Sequence, residues 1–111
     1  MTNLDAAYEI AEQVCGVCGC PEALPQIRIS WCGRLRRSIG TAEEWKGLYD
    51  IRLSKRLFAL AGWEDCIETV VHEVCHAIDS IVNNRPMSHG DGWKDLMHRC
   101  GYPDAQVGWS G

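Results

Sequence analysis

The sequence predicts an α+β domain: an N-terminal helix, a small three-stranded sheet, a long helix carrying a histidine pair, and a short C-terminal helix. Three observations predict it. Apolar residues recur at helical steps near the start, alternate in the middle, and return to helical spacing from about residue 64. Gly33, Gly40 and Gly47 punctuate the alternating region where turns are wanted. The chain has 111 residues, 46% hydrophobic and 23% charged, the size and composition of one globular domain.

The elements follow in order. Leu4, Ala7, Tyr8, Ala11, Val14 and Cys15 make one face of a helix that starts after Thr2 and Asn3 and is broken in the stretch 15–21. In residues 26–31, Ile27, Ile29 and Trp31 share one face and Gln26, Arg28 and Ser30 the other, as in a half-buried strand. Residues 34–39 and 48–54 are the other two strands, with Tyr49, Ile51 and Leu53 on the buried face of the latter. The long helix covers residues 64–83, with Ile67, Val70, Val71, Val74, Ile78, Ile81 and Val82 as its apolar stripe. Glu64, Asp65 and Glu68 suit the positive end of its dipole. Pro86 disfavours helix before it. Asp91 can cap a last helix over 92–100, which Gly101 stops.

Composition narrows the functional classes. A formal net charge of −4 argues against wholesale nucleic-acid binding, yet the segment 28–56 holds eight basic residues against three acidic ones. No apolar run is long enough to span a bilayer. The N-terminus has acidic residues where a secretory signal needs a basic start. With seven cysteines expected as thiols or metal ligands, the expected compartment is cytoplasmic.

The chemistry concentrates in one stretch. His72, Glu73 and His76 form H-E-x-x-H inside the long helix. Side chains four apart on a helix point the same way, so both imidazoles can bind one Zn²⁺. Glu73 is then within reach of a water on that metal, the position of a general base. Histidines on a buried helix are often hydrogen-bonded core residues, but the helical context here is the one the metal reading demands. His89, after a turn, is available as a third ligand. Asp79 and Val82 stand where an extended H-E-x-x-H-x-x-G-x-x-H pattern needs glycine and histidine, so the third ligand must come from beyond the helix. Asp79 is a rival on the same face, but three ligands on one straight helix surround a tetrahedral ion poorly, and a supporting carboxylate is its plainer reading.

Two other constellations carry weaker signals. Cys15, Cys18 and Cys20, with Cys32, could hold a second, structural Zn²⁺; the spacing fits reduced cysteines at a helix end better. Arg34, Arg36 and Arg37 could contact nucleic-acid phosphates, although such arginines more often line the solvated face of a sheet.

The run from His72 to Ala77, followed by Ser88-His-Gly-Asp-Gly-Trp-Lys-Asp-Leu-Met97, resembles the signature of the SprT-like zinc metallopeptidases. The stretches 27–31, 34–40 and 51–57 resemble that family's sheet and its lead into the active-site helix, so the likeness covers roughly residues 4–103. The resemblance implies a minimal zincin-like metallopeptidase with His72, His76 and His89 as zinc ligands and Glu73 as catalytic base. It implies that Trp93 packs the last helix on the active-site helix, and it puts Cys75 at a position often cysteine, read here as a small core residue. The expected organisation is one domain over residues 1–111 with no zinc-ribbon or DNA-binding extension, since the segment 104–111 is too short for one. The expected activity is hydrolysis of peptide bonds in protein substrates, DNA-associated proteins among them. His98, Tyr102 and Tyr49 are candidates to stabilise the oxyanion. The alternative is a non-catalytic, metal-stabilised adaptor for DNA or protein partners, against which the carboxylate of Glu73 speaks.

Overall fold

The structure, a computed structural model, describes residues 4–33, 40–60, 63–84 and 90–102. It is α+β, as the sequence predicts. The order is α1 (Leu4–Val17), a short 3₁₀ helix (Pro21–Gln26), β1 (Ile27–Cys32), β2 (Gly40–Trp45), β3 (Leu48–Ser54), α2 (Lys55–Leu60), α3 (Trp63–Asn83) and α4 (Asp91–Arg99). No helix among the described residues is long and apolar enough to cross a membrane.

The sheet has the order β1-β3-β2, with β1 parallel and β2 antiparallel to β3. The alternation in the sequence sets which face is buried. Ile27 and Ile29 of β1 pair with Tyr49 and Ile51 of β3, and all four are buried. Trp31 continues the face and is half-buried. On the outer edge of β1, the Tyr8 hydroxyl accepts the Ile29 N–H at 2.9 Å and approaches the Ile29 carbonyl at 3.5 Å. α1 therefore blocks β1 from extending the sheet there. Between β2 and β3, Lys46 (φ 51°) and Gly47 (φ 82°) form a two-residue turn with both residues left-handed, the geometry that matches strand twist. The Gly47 N–H donates to the Glu44 carboxylate at 3.1 Å.

Two expectations shift. The middle strand expected at residues 34–39 lies outside the described residues, and the observed β2 starts at Gly40, which the sequence reading put in a turn. Thr41-Ala42-Glu43-Glu44-Trp45 is an edge strand whose last three residues are exposed, so it shows no apolar alternation to detect. In addition, β3 runs directly into α2, an element that the sequence reading left unassigned.

α3 is the central element. Every residue from Thr69 to Ser80 is buried, because α1, the sheet and α4 all pack on this one helix. Val70, Val71, Val74 and Ile78 supply the apolar part of that burial as expected. Val82, in the last turn, is 59% exposed and drops out of the stripe.

Gly40 sits where α3 meets β2. A β-carbon there would lie 3.0 Å from Thr69 Cγ2 and 3.3 Å from Leu53 Cδ2. Gly40→Ala is therefore expected to destabilise the fold by about 1–3 kcal/mol in urea denaturation, as overpacking does. Thr69→Ser removes the crowding methyl, so the double variant should recover part of that loss.

Candidate metal centre

α3 places His72, Glu73 and His76 together. All three are at most 2% exposed, and one donor atom from each lies within 4.8 Å of the others. His72 Nε2 is 3.9 Å from Glu73 Oε2, and the imidazole centroids are 4.9 Å apart. Burial deep in the helix restricts their rotamers, so the donor set is preorganised. Two imidazole nitrogens beside a carboxylate suit Zn²⁺ among the common cations.

Trp93 of α4 holds this arrangement from the other side. Its indole is fully buried and its Nε1–H donates to the His72 carbonyl at 3.1 Å. The ring stacks on His76 with centroids 5.1 Å apart and an interplanar angle of 14°. It meets His72 edge-on at 4.7 Å and 67°. One side chain thus fixes both imidazole planes and docks α4 on α3. The cap on α4 differs from expectation: Gly90 is the N-cap and Asp91 is the first helical residue.

The family model described as SprT-like matches residues 7–108. The chain belongs to the SprT-like family. It is 34% identical over 80 residues to the DNA-dependent metalloprotease SPRTN of Rattus norvegicus, covering 68% of this chain and 16% of that protein, with the same figures for SPRTN of Mus musculus. It is 29% identical over 83 residues to germ cell nuclear acidic protein of Homo sapiens, covering 68% of this chain and 12% of that protein. The chain thus spans about a sixth or less of the length of these relatives.

The remaining residues singled out in this SprT-like sequence fall as follows. His89 lies outside the described residues, as do Arg34, Arg36 and Arg37. Asp79 is fully buried but is not grouped with the two histidines; its carboxylate accepts the Asn83 side-chain N–H at 2.6 Å. Tyr49 shares a 2.8 Å hydrogen bond with Ser80, one turn of α3 beyond His76. His98 is exposed on α4, and Tyr102 lines a cavity against α1. Arg52, the basic residue on β3, faces Glu43 at 3.9 Å and Asp50 at 3.7 Å, so part of the basic segment is already balanced by acidic side chains.

The cysteines depart from the expected set. Cys15, Cys18, Cys20 and Cys32 do not converge. Cys18 instead meets Cys75 of α3 and Cys100 at the end of α4, with the three sulfurs all within 4.8 Å of one another. Burial, then the neighbouring Cys20, pushes the Cys15 thiol up to about 11, so Cys15 behaves as a core thiol. Cys100 is held low, at about 3, by hydrogen bonds from Cys18 and then Cys75, while its bond to Cys100 raises Cys18 to about 12. Of the three thiols, Cys100 is thus the one most easily ionised. Its sequence signal is the dipeptide Cys-Gly at each helix stop: Gly19 (φ 70°) follows Cys18 and Gly101 (φ 95°) follows Cys100. Density of local cysteines around residue 18 pointed elsewhere.

Trp93 gives a graded test. Trp93→Phe keeps a ring and loses the bond to the His72 carbonyl, and should cost about 1–2 kcal/mol. Trp93→Ala should cost about 3–5 kcal/mol in chemical denaturation. Zinc affinity, measured by competition with a chromophoric chelator, should fall in the same order.

Proposed function

We propose that this chain is a zinc-dependent endopeptidase domain that cleaves protein substrates. The observation that carries the reading is Glu73: a fully buried carboxylate beside two imidazoles on one helix, its donor atom within 4.8 Å of theirs. A purely structural metal site has no use for a carboxylate in that position. Membership of the SprT-like family and the likeness to the metalloprotease SPRTN support it.

His72 and His76 would hold the ion, with His89 as the third ligand that the family signature implies. Zn²⁺, when bound, supplies a Lewis acid and brings a water's pKa towards neutrality. Glu73 takes the proton of the attacking water and returns it to the leaving amine. Trp93 keeps both imidazole planes fixed while this happens, so the histidines need no reorganisation.

Among the described residues, the substrate backbone has one natural docking edge. Tyr8 occupies the outer edge of β1 at Ile29, whereas β2 has no strand beside its outer edge among the described residues. A peptide segment can add to β2 through main-chain hydrogen bonds. DNA-associated proteins are the substrate class we favour, on the printed name of SPRTN, with Arg34, Arg36 and Arg37 available to DNA phosphates.

Glu73→Gln keeps size and removes the proton acceptor. It should retain zinc at wild-type stoichiometry and lose proteolysis by at least about a hundredfold. Cleavage is measured on an unstructured protein and on a DNA-bound protein, each with and without DNA. A Glu73→Gln variant that cleaves as fast as wild type contradicts the assignment of the base. His76→Ala should lose both the metal and the activity.

A further inference from the structure

We propose that Cys18, Cys75 and Cys100 form a second metal site, a three-thiolate site for a thiophilic divalent cation of the Zn²⁺ type, separate from the histidine centre. The three sulfurs come from the turn after α1, the middle of α3 and the end of α4, and lie within 4.8 Å of one another. Zn–S bonds of about 2.3 Å in a tetrahedron put the sulfurs about 3.8 Å apart, so the cluster needs only a small contraction to close on an ion. A disulfide would need two of these sulfurs at about 2.05 Å and would leave the third unused.

The positions are built rather than incidental. Cys18 and Cys100 occupy equivalent places, each ending a helix and each followed by a left-handed glycine that turns the chain away. Cys18 N–H bonds the Val14 carbonyl at 2.9 Å, and Cys100 N–H bonds the Leu96 and Met97 carbonyls at 3.1 Å, which fixes both backbones. Cys75 is fully buried in the middle of α3. Cys15 and Cys20, also buried, stay out of the group, so the convergence is not a general clustering of small apolar residues.

The site also has an entrance. Cys100 lines an open cavity of about 250 Å³ together with Gln13, Val14, Val71 and Tyr102. Cys100 is the member of the cluster that lines this cavity, so a cation can reach the cluster through it, and solvent can supply the fourth ligand. The ligands bind as thiolates, so uptake of the ion releases thiol protons to solvent. Soft thiolate donors select Zn²⁺ and its d-block analogues over Mg²⁺ or Ca²⁺. Closing the site would bind the ends of α1 and α4 to the helix that carries His72 and His76, on the residue next to His76.

The test uses cobalt(II) as the probe. The full chain, freshly reduced and stripped of metal under anaerobic conditions, is titrated and read by absorption. Sulfur-to-cobalt charge transfer gives a near-ultraviolet band that histidine and carboxylate ligands do not produce, so the band reads this cluster whether or not the histidine centre works as proposed. We expect the band in wild type, saturating at one equivalent of thiolate-bound cobalt and abolished by excess zinc. Cys18→Ser and Cys100→Ser, both at half-buried positions, should lose most of it while keeping the wild-type circular dichroism. Cys32→Ser should keep it. The proposal is overturned if wild type shows no such band, or if both Cys18→Ser and Cys100→Ser retain it.

Discussion

The contact between Trp93 and the two histidines of α3 is the constraint on which the rest of the molecule depends. One indole donates to the His72 carbonyl, stacks on His76 and meets His72 edge-on. It docks α4 on α3, which the sheet and α1 also cover. The consequence is a helix buried all the way round from Thr69 to Ser80. Such a helix is normally apolar throughout. This one carries His72, Glu73, His76, Asp79 and Ser80 into the core. Burying polar groups costs free energy unless they gain partners. Asp79 and Ser80 find theirs in Asn83 and Tyr49. The His72-Glu73-His76 group is the one that we read as a metal centre.

A domain of this size buries a modest core. Metal binding can supply folding free energy that the apolar core lacks. Both clusters draw on α3: His72 and His76 on the face towards α4, and Cys75 against the ends of α1 and α4. Gly40 belongs to the same economy of space, since only the absence of a side chain lets β2 approach Thr69. The described domain corresponds to a small part of SPRTN.

What the sequence disclosed follows from the range of the interactions. H-E-x-x-H was legible because its geometry is set within one helical turn. The buried faces of β1 and β3 were legible because alternation is local, and Trp93 because it stands in a family motif beside His89. β2 was not, because an edge strand with Glu43, Glu44 and Trp45 exposed carries no alternation. The parallel pairing of β1 with β3 depends on a crossover that no local pattern encodes. The convergence of Cys18, Cys75 and Cys100 joins three distant segments, whereas the nearby C-x-x-C drew attention to Cys15 and Cys20, which are core residues. His89 and the arginine run lie outside the described residues, and their roles remain those that the sequence suggests.

The central claim is that His72 and His76 are metal ligands rather than hydrogen-bonded core histidines. Nitrogen-15 spectra of the imidazole rings, recorded on the metal-free chain and again with one equivalent of zinc, test it directly. The account predicts that the rings of His72 and His76, and that of His89, move to the shifts of metal-coordinated imidazole in slow exchange, while exposed His98 is unchanged. Rings of His72 and His76 that keep their metal-free resonances at one equivalent of zinc would contradict it.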